Sequence, residues 1–258
     1  MPASDKVFAC SVPENYDRYL VPLIFQAYAD DMAKRIALRS PKSVLETAAG
    51  SGVVTRAVAA ILPPDAAYTA TDLNPPMLDH AQRRQADAQA LPFEDRSFDI
   101  VCCQFGAMFF PDRIKAYREA KRVLKPQGVF IFSVCDRIEE NIFADDVINA
   151  LAELFPQDPP RFLARTPHGY HDLAKIRQEL GESGFSDIRI ETRPDQSRAL
   201  SPRHAVIGFC QGSPLRAEIE ARGDLAAATD HAARSVAARH GEGEISAKIQ
   251  AHVIEAAA

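Results

Sequence analysis

The 258-residue sequence has no excess of basic charge. It contains 30 lysine and arginine residues against 35 aspartate and glutamate residues, for a net charge of -5, and the two signs are interspersed. A protein that binds a nucleic-acid backbone needs a basic stripe or patch to neutralise the phosphates. The composition therefore argues against nucleic acid as a partner or substrate.

Long apolar runs are also missing. No run approaches the roughly 20 apolar residues that span a membrane. The first residues, MPASDKVFACSVPENYDRYL, lack the apolar stretch after a basic start that marks a secretory signal. We therefore expect no membrane association and a cytoplasmic location.

Cysteine is scarce and its spacing does not suggest a metal site. The number of cysteines is odd, with no C-x-x-C pair and no matching histidines, which predicts no bound zinc and no other metal. We expect reduced, buried thiols, with catalytic use of Cys135 as the less favoured alternative. The five positions are Cys10, Cys102, Cys103, Cys135 and Cys210.

What the sequence does contain is an alternation of short β-branched runs with amphipathic helical stretches. Hydrophobic residues make up 47% of the chain, enough for a large core. The alternation is typical of βαβ units in a parallel sheet and predicts a doubly wound α/β fold with helices on both faces. The predicted strands cover residues 43–47, 67–71, 99–105 and 129–134, with a further strand near residues 188–192.

Three stretches do not follow this alternation: residues 1–39, 138–168 and 197–247. We expect a single domain over residues 1–258, with a core at residues 40–135, an N-terminal helical cap and two helical insertions as candidate substrate lids. The apolar residues near Ile249 and Val253 could form a final strand at the edge of the sheet.

The most informative segment is Val44-Leu45-Glu46-Thr47-Ala48-Ala49-Gly50-Ser51-Gly52, where a strand ends in an acid and runs through small residues into a helix. In doubly wound sheets, ligands bind in the crevice at the carboxyl ends of the strands. Gly50 and Gly52 allow a sharp turn and a close approach of a ligand to the backbone. Taken alone, the two glycines fit a plain strand-to-helix turn equally well.

A second acid strengthens the interpretation as a ligand site. The next predicted strand ends in Thr71-Asp72-Leu73, so that a carboxylate lies at the neighbouring strand tip, where it can accept hydrogen bonds from a ribose diol. A turn acid before Pro75 is the structural alternative, and it is compatible with the same role.

In these segments the chain resembles the class I S-adenosylmethionine-dependent methyltransferases, close to the ubiquinone/menaquinone-type group. The resemblance covers residues 40–135 in the family's order: LETAAGSG, ATDLNPPML, QADAQALPFEDRSFDIVCCQFGAMFFPD and REAKRVLKPQGVFIFSV. It implies S-adenosylmethionine as the cofactor and a Rossmann-like seven-stranded sheet whose last strand is antiparallel.

The resemblance also implies roles for the residues of the first loop. Glu46 takes the place of the family's first acid, near the methionine end of the cofactor. Ala48, Gly50 and Gly52 occupy the three small positions of the glycine loop. The family more often has glycine where Ala48 stands, and we expect the methyl group to be tolerated provided that φ at Ala48 stays negative.

Further residues correspond to the family's cofactor contacts. Asp72 matches the acid that holds the ribose hydroxyls, and Leu73 and Met77 match apolar neighbours of the adenine. Asp87 and Ala88 match the segment that reads the adenine edge.

Two more pairs complete the predicted cofactor site. Gln104 and Phe105 match the end of the fourth strand, beside the methionine moiety and facing the substrate. Tyr16 and Tyr19 resemble an N-terminal segment that closes over the cofactor, although tyrosines at this spacing are more often packing residues on a helix.

The sequence defines the methyl acceptor less well than it defines the cofactor. Several phenylalanines could line an apolar acceptor pocket, although core packing is favoured for at least half of them: Phe109, Phe110, Phe143, Phe155 and Phe162. Candidate bases are His168, His171 and His204, but the sequence identifies no catalytic residue. We expect a small, partly apolar acceptor molecule. The sequence does not indicate an oligomeric state, and a homodimer is one option.

Two rival functions stay open at this point. An NAD-dependent oxidoreductase would share the fold and the ribose acid, but Glu46 would place negative charge near a pyrophosphate, and the order A-x-G-x-G differs from G-x-G-x-x-G. A cationic sulfonium amino acid is the better electrostatic match. The other rival is a non-catalytic S-adenosylmethionine-binding sensor or partner protein.

Overall fold

The computed structural model describes residues 12–73 and 83–258. Cys10 and Met77, which the sequence analysis singled out, lie outside these ranges. The strands are β1 (Ser43–Glu46), β2 (Ala67–Asp72), β3 (Arg83–Gln85), β4 (Phe98–Gln104), β5 (Leu124–Cys135), β6 (Ile188–Ala199) and β7 (Ile245–Ala257).

The seven strands form one sheet in the order β3-β2-β1-β4-β5-β7-β6. Parallel pairing joins β1 to β2 and to β4, β2 to β3, and β4 to β5. Val101, Cys102 and Cys103 are fully buried in succession, so both faces of β4 are covered, as expected for a parallel strand in a doubly wound sheet. The predicted fold class is confirmed.

The last strand runs antiparallel to its neighbours. Towards the amino end of β5, Ala258 N donates to Gly128 O at 2.9 Å, whereas just past its carboxyl end Asp136 N donates to Gln250 O at 3.1 Å, so that β7 runs opposite to β5. Because β7 lies between β5 and β6, the expectation that it forms an edge of the sheet is wrong. The edge strand on this side of the sheet is β6, and β7 shares its backbone groups with two neighbours.

The helices are α1 (Val12–Asn15), α2 (Gln26–Ala37), α3 (Val53–Ala59), α4 (Arg113–Val123), α5 (Ile142–Leu154), α6 (Phe162–Arg165), α7 (Leu173–Glu182), α8 (Pro202–Gln211), α9 (Leu215–Glu220) and α10 (Leu225–His240). A π-helix covers Tyr16–Phe25, and short 3-10 turns cover Ala107–Phe109 and Ile138–Glu140. Among the residues that the structure describes, no helix combines the length and apolar character needed to cross a membrane.

The chain divides into two compact units. Among the described residues, the first comprises residues 12–26, 135–170 and 194–251. The last two ranges nearly coincide with the stretches 138–168 and 197–247 of the sequence analysis, whereas the stretch 1–39 is divided, because residues 27–39 belong to the second unit. Within the first unit, α10 packs against α5 and α8 through small side chains such as Ala228 and Ala232, both fully buried. The assignment of residues 1–258 to a single domain with lids stays a prediction.

The second unit comprises residues 27–134, 171–193 and 252–258 and contains strands β1 to β4 complete. Helix α4 begins at its N-cap Asp112, whose side chain accepts from Lys115 N, and buries Tyr117 against the rings of Phe130 and Phe132 on β5. The ring centroids lie 5.7 and 5.3 Å from that of Tyr117. This packing holds α4 against the sheet next to β4 and β5.

A single carboxylate links three strands at their amino ends. Asp99 on β4 accepts hydrogen bonds from Ser43 N at 2.8 Å and Ser43 Oγ at 2.9 Å, and from Lys125 Nζ at 2.9 Å. Although burial acts to raise the pKa of Asp99, these hydrogen bonds outweigh it and hold the pKa below its ordinary value. The ionised carboxylate therefore stabilises the start of β1, β4 and β5.

We expect Asp99→Asn to lower the free energy of unfolding by about 1 kcal/mol at pH 7, because charge-assisted hydrogen bonds are replaced by neutral ones. A lowered pKa in the folded state stabilises the protein above the unfolded pKa, and this stabilisation disappears as pH falls through the folded pKa. Urea denaturation should therefore show a constant difference between the variant and the wild type from pH 7 to about 5, and a difference that shrinks as the pH falls below the ordinary aspartate pKa of about 3.9.

Asp65→Asn is the matched control, because Asp65 is exposed and precedes the neighbouring strand β2. It should change stability by less than about 0.5 kcal/mol. A loss in Asp99→Asn that persists at low pH would show that the side-chain shape, and not its charge, is responsible.

Candidate active site

The loop after β1 turns through three residues with left-handed backbone conformation. The φ angles are 53° at Ala48, 55° at Gly50 and 83° at Gly52, and α3 begins at the next residue. Ala49 N donates to Thr71 O at 2.9 Å, which fastens the loop to β2. The predicted strand, small-residue turn and helix are all present.

The sequence analysis expected alanine to be tolerated at position 48 if its φ were negative, but the φ of Ala48 is positive. A left-handed conformation costs a residue with a Cβ atom about 1–2 kcal/mol relative to glycine. The Ala48 methyl group packs beside Gly106. A Cβ atom added at Gly106 would lie 2.6 Å from Ala48 Cβ and 2.7 Å from Cys103 Sγ. Gly106 therefore provides the space that Ala48 occupies.

Glu46 is the last residue of β1 and is 2% exposed. Its Oε2 atom accepts hydrogen bonds from Thr55 Oγ1 at 2.5 Å and from Tyr68 OH at 2.7 Å. Thr55 lies on α3 and Tyr68 on β2. The carboxylate is thus held below the loop by hydroxyl groups from two elements.

Asp72 is the last residue of β2 and is 7% exposed. Its Oδ2 atom accepts from Gly50 N at 2.8 Å, so the carboxylate at the tip of β2 grips the glycine loop that follows β1. Leu73, the next residue, is 48% exposed, which leaves its side chain available to a flat apolar ligand.

Asp87 and Ala88 follow β3 and are half-buried. Asp87 forms a local turn in which Oδ1 accepts from Gln89 N at 2.9 Å and its backbone oxygen accepts from Ala90 N at 2.9 Å. Gln89 Oε1 in turn accepts from Asp112 N at 3.0 Å, which ties this turn to the start of α4.

Gln104 is the last residue of β4, and Phe105 is the first residue after it. Gln104 pairs with Ser133 on β5, and Phe105 N donates to Ser133 O at 3.0 Å. Phe105 has a φ of 51°, an unusual conformation for an aromatic residue, and its ring lies 5.3 Å from that of Tyr28 in an edge-on arrangement. The strand therefore ends in a sharply turned loop beside the loop after β1.

The structure brings most of the predicted residues to one edge of the sheet. Glu46, Asp72 and Gln104 stand at the carboxyl ends of β1, β2 and β4, which are direct neighbours in the sheet. Residues 48–52 and Phe105 lie in the loops that follow β1 and β4, and Asp87 and Ala88 follow β3.

Tyr16 and Tyr19 belong to the other compact unit, in the π-helix Tyr16–Phe25. Tyr16 stacks on Phe25 with ring centroids 5.0 Å apart, and Tyr19 meets the His204 ring edge-on at 4.6 Å. Both therefore pack within their own unit, and their predicted contact with the cofactor stays a prediction.

The three candidate histidines differ in their surroundings. His168 is 6% exposed, and its Nδ1 lies 2.7 Å from Asp136 O, a carbonyl that can only accept, so that Nδ1 carries the proton. Burial, together with the charge of Arg18, lowers the pKa of His204. His171 is half-buried just before α7.

The candidate acceptor-lining phenylalanines divide by burial. Phe143 and Phe162, at 1% and 2% exposure, are core residues of the first unit. The other three are half-buried: Phe109, Phe110 and Phe155. Core packing thus accounts for two of the five.

The described cysteines, Cys102, Cys103, Cys135 and Cys210, are buried and carry free thiols. Burial raises the pKa of Cys103, Cys135 and Cys210 to about 12. A thiol with such a pKa is protonated at neutral pH and is a poor nucleophile, so the packing interpretation of Cys135 is favoured over catalysis.

Comparison with known proteins adds the family. A methyltransferase-domain model matches residues 45–132, the segment that contains the strand tips described above. The ubiquinone/menaquinone biosynthesis C-methyltransferase UbiE of Rickettsia felis is 35% identical over 170 residues, 56% of this chain and 68% of the relative. The chain belongs to the class I S-adenosylmethionine-dependent methyltransferases, in the ubiquinone/menaquinone-type group.

A more distant relative and a solved structure are also similar to this chain. The demethylmenaquinone methyltransferase of Staphylococcus aureus is 24% identical over 204 residues, 70% of this chain and 85% of that one. The crystal structure of the YcgJ protein from Bacillus subtilis superimposes with a TM-score of 0.55 at 21% identity and covers 90% of this chain and 98% of that one. The structural likeness supports the fold alone.

This methyltransferase uses S-adenosylmethionine, and its strand tips fit that cofactor. Two buried carboxylates, Glu46 and Asp72, stand at adjacent tips, as a cationic amino acid joined to a ribose diol requires. Membership of this family argues against both rival functions, the NAD-dependent oxidoreductase and the non-catalytic S-adenosylmethionine-binding protein.

Tyr68 and Thr55 are the residues of this site that the sequence did not single out. Tyr68 stands four positions before Asp72 in a strand whose residues become steadily more buried towards its carboxyl end, and Thr55 lies in an ordinary helical pattern. Only the register of β1 against β2, which pairs Val44 with Tyr68, places the phenol within reach of Glu46.

Gly106→Ala should destabilise the protein by about 2 kcal/mol, because the new methyl group would overlap Ala48 Cβ and Cys103 Sγ. Ala48→Gly should be neutral or stabilising by up to about 1 kcal/mol, since it removes a Cβ atom from a left-handed position. In the double variant, the cost of Gly106→Ala should be smaller than in the wild type, as measured by urea denaturation of all four proteins.

Gly181→Ala on α7 is the matched control, because nothing lies within 4 Å of the added Cβ. It should stabilise the protein by about 0.5–1 kcal/mol. Strict additivity of the Ala48 and Gly106 changes would contradict the proposed packing of the two loops.

Proposed function

We propose that this methyltransferase transfers the methyl group of S-adenosylmethionine to a carbon atom of a small, partly apolar acceptor of the quinol type. The observation that carries the cofactor part is the pair of buried carboxylates, Glu46 and Asp72, around a loop with three left-handed residues. The acceptor part rests on the names of the relatives, which are a ubiquinone/menaquinone biosynthesis C-methyltransferase and a demethylmenaquinone methyltransferase.

We assign the methionine end of the cofactor to the loop after β1. The carboxylate of Glu46 supplies negative charge below the loop, where it favours a cationic ligand. Ala48, Gly50 and Gly52 turn the backbone so that its N–H groups can approach the ligand closely. Gln104 and Phe105, at the end of β4, flank the methionine moiety on the acceptor side.

We assign the adenosine end to the tips of β2 and β3. Asp72 accepts hydrogen bonds from the ribose hydroxyls, while one of its oxygens keeps the bond from Gly50 N. Leu73 covers one face of the adenine with its exposed side chain. Asp87 and Ala88 read the adenine edge, and Met77, assigned on the resemblance alone, is a second apolar neighbour.

Tyr16 and Tyr19 are retained as residues that close over the cofactor, and this assignment rests on the family resemblance alone. The helical segments 138–168 and 197–247 are the parts of the chain that we propose to enclose the acceptor. Both segments contribute to one compact unit, which supports a common role.

The chemistry needs little covalent help from the protein. The bound cofactor supplies a methyl group on a sulfonium leaving group. A ring carbon of the acceptor attacks the methyl carbon, the carbon–sulfur bond breaks, and a proton leaves the ring carbon. The chain has to hold the two reactants in line, exclude water and accept or relay that proton.

No catalytic residue is assigned. A ring carbon is nucleophilic when the ring carries electron-donating hydroxyl groups, which favours the reduced quinol over the quinone as the acceptor. Loss of the ring proton after attack is downhill because it restores aromaticity, so the placement of the acceptor matters more than the strength of a base.

The cofactor assignment predicts a strong effect of Asp72. Isothermal titration calorimetry should detect binding of S-adenosylmethionine and S-adenosylhomocysteine, but not of NAD(H). Asp72→Ala should weaken the binding of both ligands by roughly tenfold or more, because hydrogen bonds to a charged group are lost. Asp72→Asn, which keeps an oxygen for Gly50 N, should lie between Asp72→Ala and the wild type.

Asp65→Ala is the control for the loss of one acidic residue, since Asp65 is exposed before the amino end of β2. Its dissociation constants should equal those of the wild type. Tight binding of NAD(H), or equal affinities in the wild type and Asp72→Ala, would refute the cofactor assignment.

The acceptor assignment predicts a difference between redox forms. With S-adenosylmethionine carrying a deuterated methyl group, mass spectrometry should detect transfer to a demethylated naphthoquinol or benzoquinol kept reduced, with the label on a ring carbon. The oxidised quinone should not react. Label on a ring oxygen, or turnover only with an amine, would refute carbon methylation.

A further inference from the structure

One oxygen of Glu46 is held by two hydroxyl groups that come from different elements. Thr55 Oγ1 on α3 donates to Glu46 Oε2 at 2.5 Å, and Tyr68 OH on β2 donates to the same atom at 2.7 Å. The carboxylate is therefore oriented from the helix and from the neighbouring strand together.

Strand register explains how Tyr68 reaches this carboxylate. Tyr68 pairs with Val44, and Glu46 lies two residues further along β1, on the same face of the sheet. Cys102 pairs with Glu46 from the other side, and its Sγ lies 4.0 Å from Tyr68 OH. The phenol thus lies across β1, between a carboxylate and a thiol that are both buried.

Both hydroxyl groups keep their protons under ordinary conditions. Burial, together with the neighbouring Cys102 and Glu46, raises the pKa of Tyr68 well above its usual value. A threonine hydroxyl does not ionise in the physiological range. The two groups therefore act as donors to Glu46 at neutral pH.

The bond from Thr55 closes the loop at its base. Glu46 is the last residue of β1 and Thr55 lies in the first turn of α3, so the residues between them include Ala48, Gly50 and Gly52. Asp72 grips the same loop through Gly50 N. Glu46 thus closes the base of the turn, and Asp72 holds its middle.

We propose that Tyr68 and Thr55 are positioning residues that orient Glu46 and hold the loop of residues 47–52 in the conformation that binds S-adenosylmethionine. The inference rests on the proposed role of this loop in cofactor binding. It predicts that removing either hydroxyl group weakens cofactor binding more than an equal loss of stability elsewhere in β1 would.

The test compares Tyr68→Phe, Thr55→Val and Thr55→Ser with the wild type by calorimetry with S-adenosylmethionine and with S-adenosylhomocysteine, alongside thermal unfolding. Tyr68→Phe and Thr55→Val should each raise the dissociation constants for both ligands roughly tenfold, as expected for lost hydrogen bonds to a carboxylate. Thr55→Ser keeps the hydroxyl group and should restore affinity to within about twofold of the wild type.

Ser43→Ala is the matched control, because Ser43 Oγ donates to the carboxylate of Asp99 at the opposite end of β1. It should lower the Tm and leave both dissociation constants unchanged. If Tyr68→Phe proves too unstable to titrate, the Thr55→Val and Thr55→Ser pair decides the question, since Thr55→Val preserves the side-chain shape.

The possible outcomes distinguish a failure of the positioning role from a failure of the proposed function. Wild-type affinity in both Tyr68→Phe and Thr55→Val overturns the positioning role and leaves the proposed function intact. Equal weakening by Ser43→Ala, or no rescue by Thr55→Ser, also overturns it, because a general loss of stability then explains the effect. Failure of the wild type to bind S-adenosylmethionine overturns the proposed function and this inference with it.

Discussion

Parallel pairing of β1 with β2 on one side and β4 on the other is the constraint on which the site depends. Parallel strands end at the same edge, so Glu46, Asp72 and Gln104 meet there although they are far apart in sequence. An antiparallel partner at either position would send one of these side chains to the opposite edge. The antiparallel strand β7 lies beyond β5, away from these tips.

The carboxyl-end edge of the sheet is stabilised by contacts between loops as well as by the pairing of the strands. Asp72 accepts from Gly50 N, Ala49 N donates to Thr71 O, and Ala48 packs against Gly106. These contacts compensate for left-handed conformations at residues that carry a Cβ atom. Unfavourable backbone geometry concentrated at a ligand site is common, because surrounding contacts can enforce a shape that the local sequence does not prefer.

The polar groups at the amino ends of the strands differ from those at the carboxyl ends. At the amino ends, Asp99 joins β1 to β5 through Ser43 and Lys125, and this arrangement serves stability. At the carboxyl ends, the buried carboxylate of Glu46 accepts from Thr55 Oγ1 and Tyr68 OH, and that of Asp72 accepts from Gly50 N. Negative charge at this edge suits a cationic cofactor.

The amino-acid sequence is enough to predict the alternating α/β pattern, the loop after β1 and the acids at two neighbouring strand ends, because each is encoded in a short contiguous segment. The folded chain adds three features that no such segment encodes: the positive φ of Ala48, the interior position of β7 and the contact of Tyr68 with Glu46. Each of these depends on which strands pair and in which register, and that is set by burial summed over the whole sheet. Local periodicity shows which face of an element is apolar, but it does not show which distant residue that face will meet.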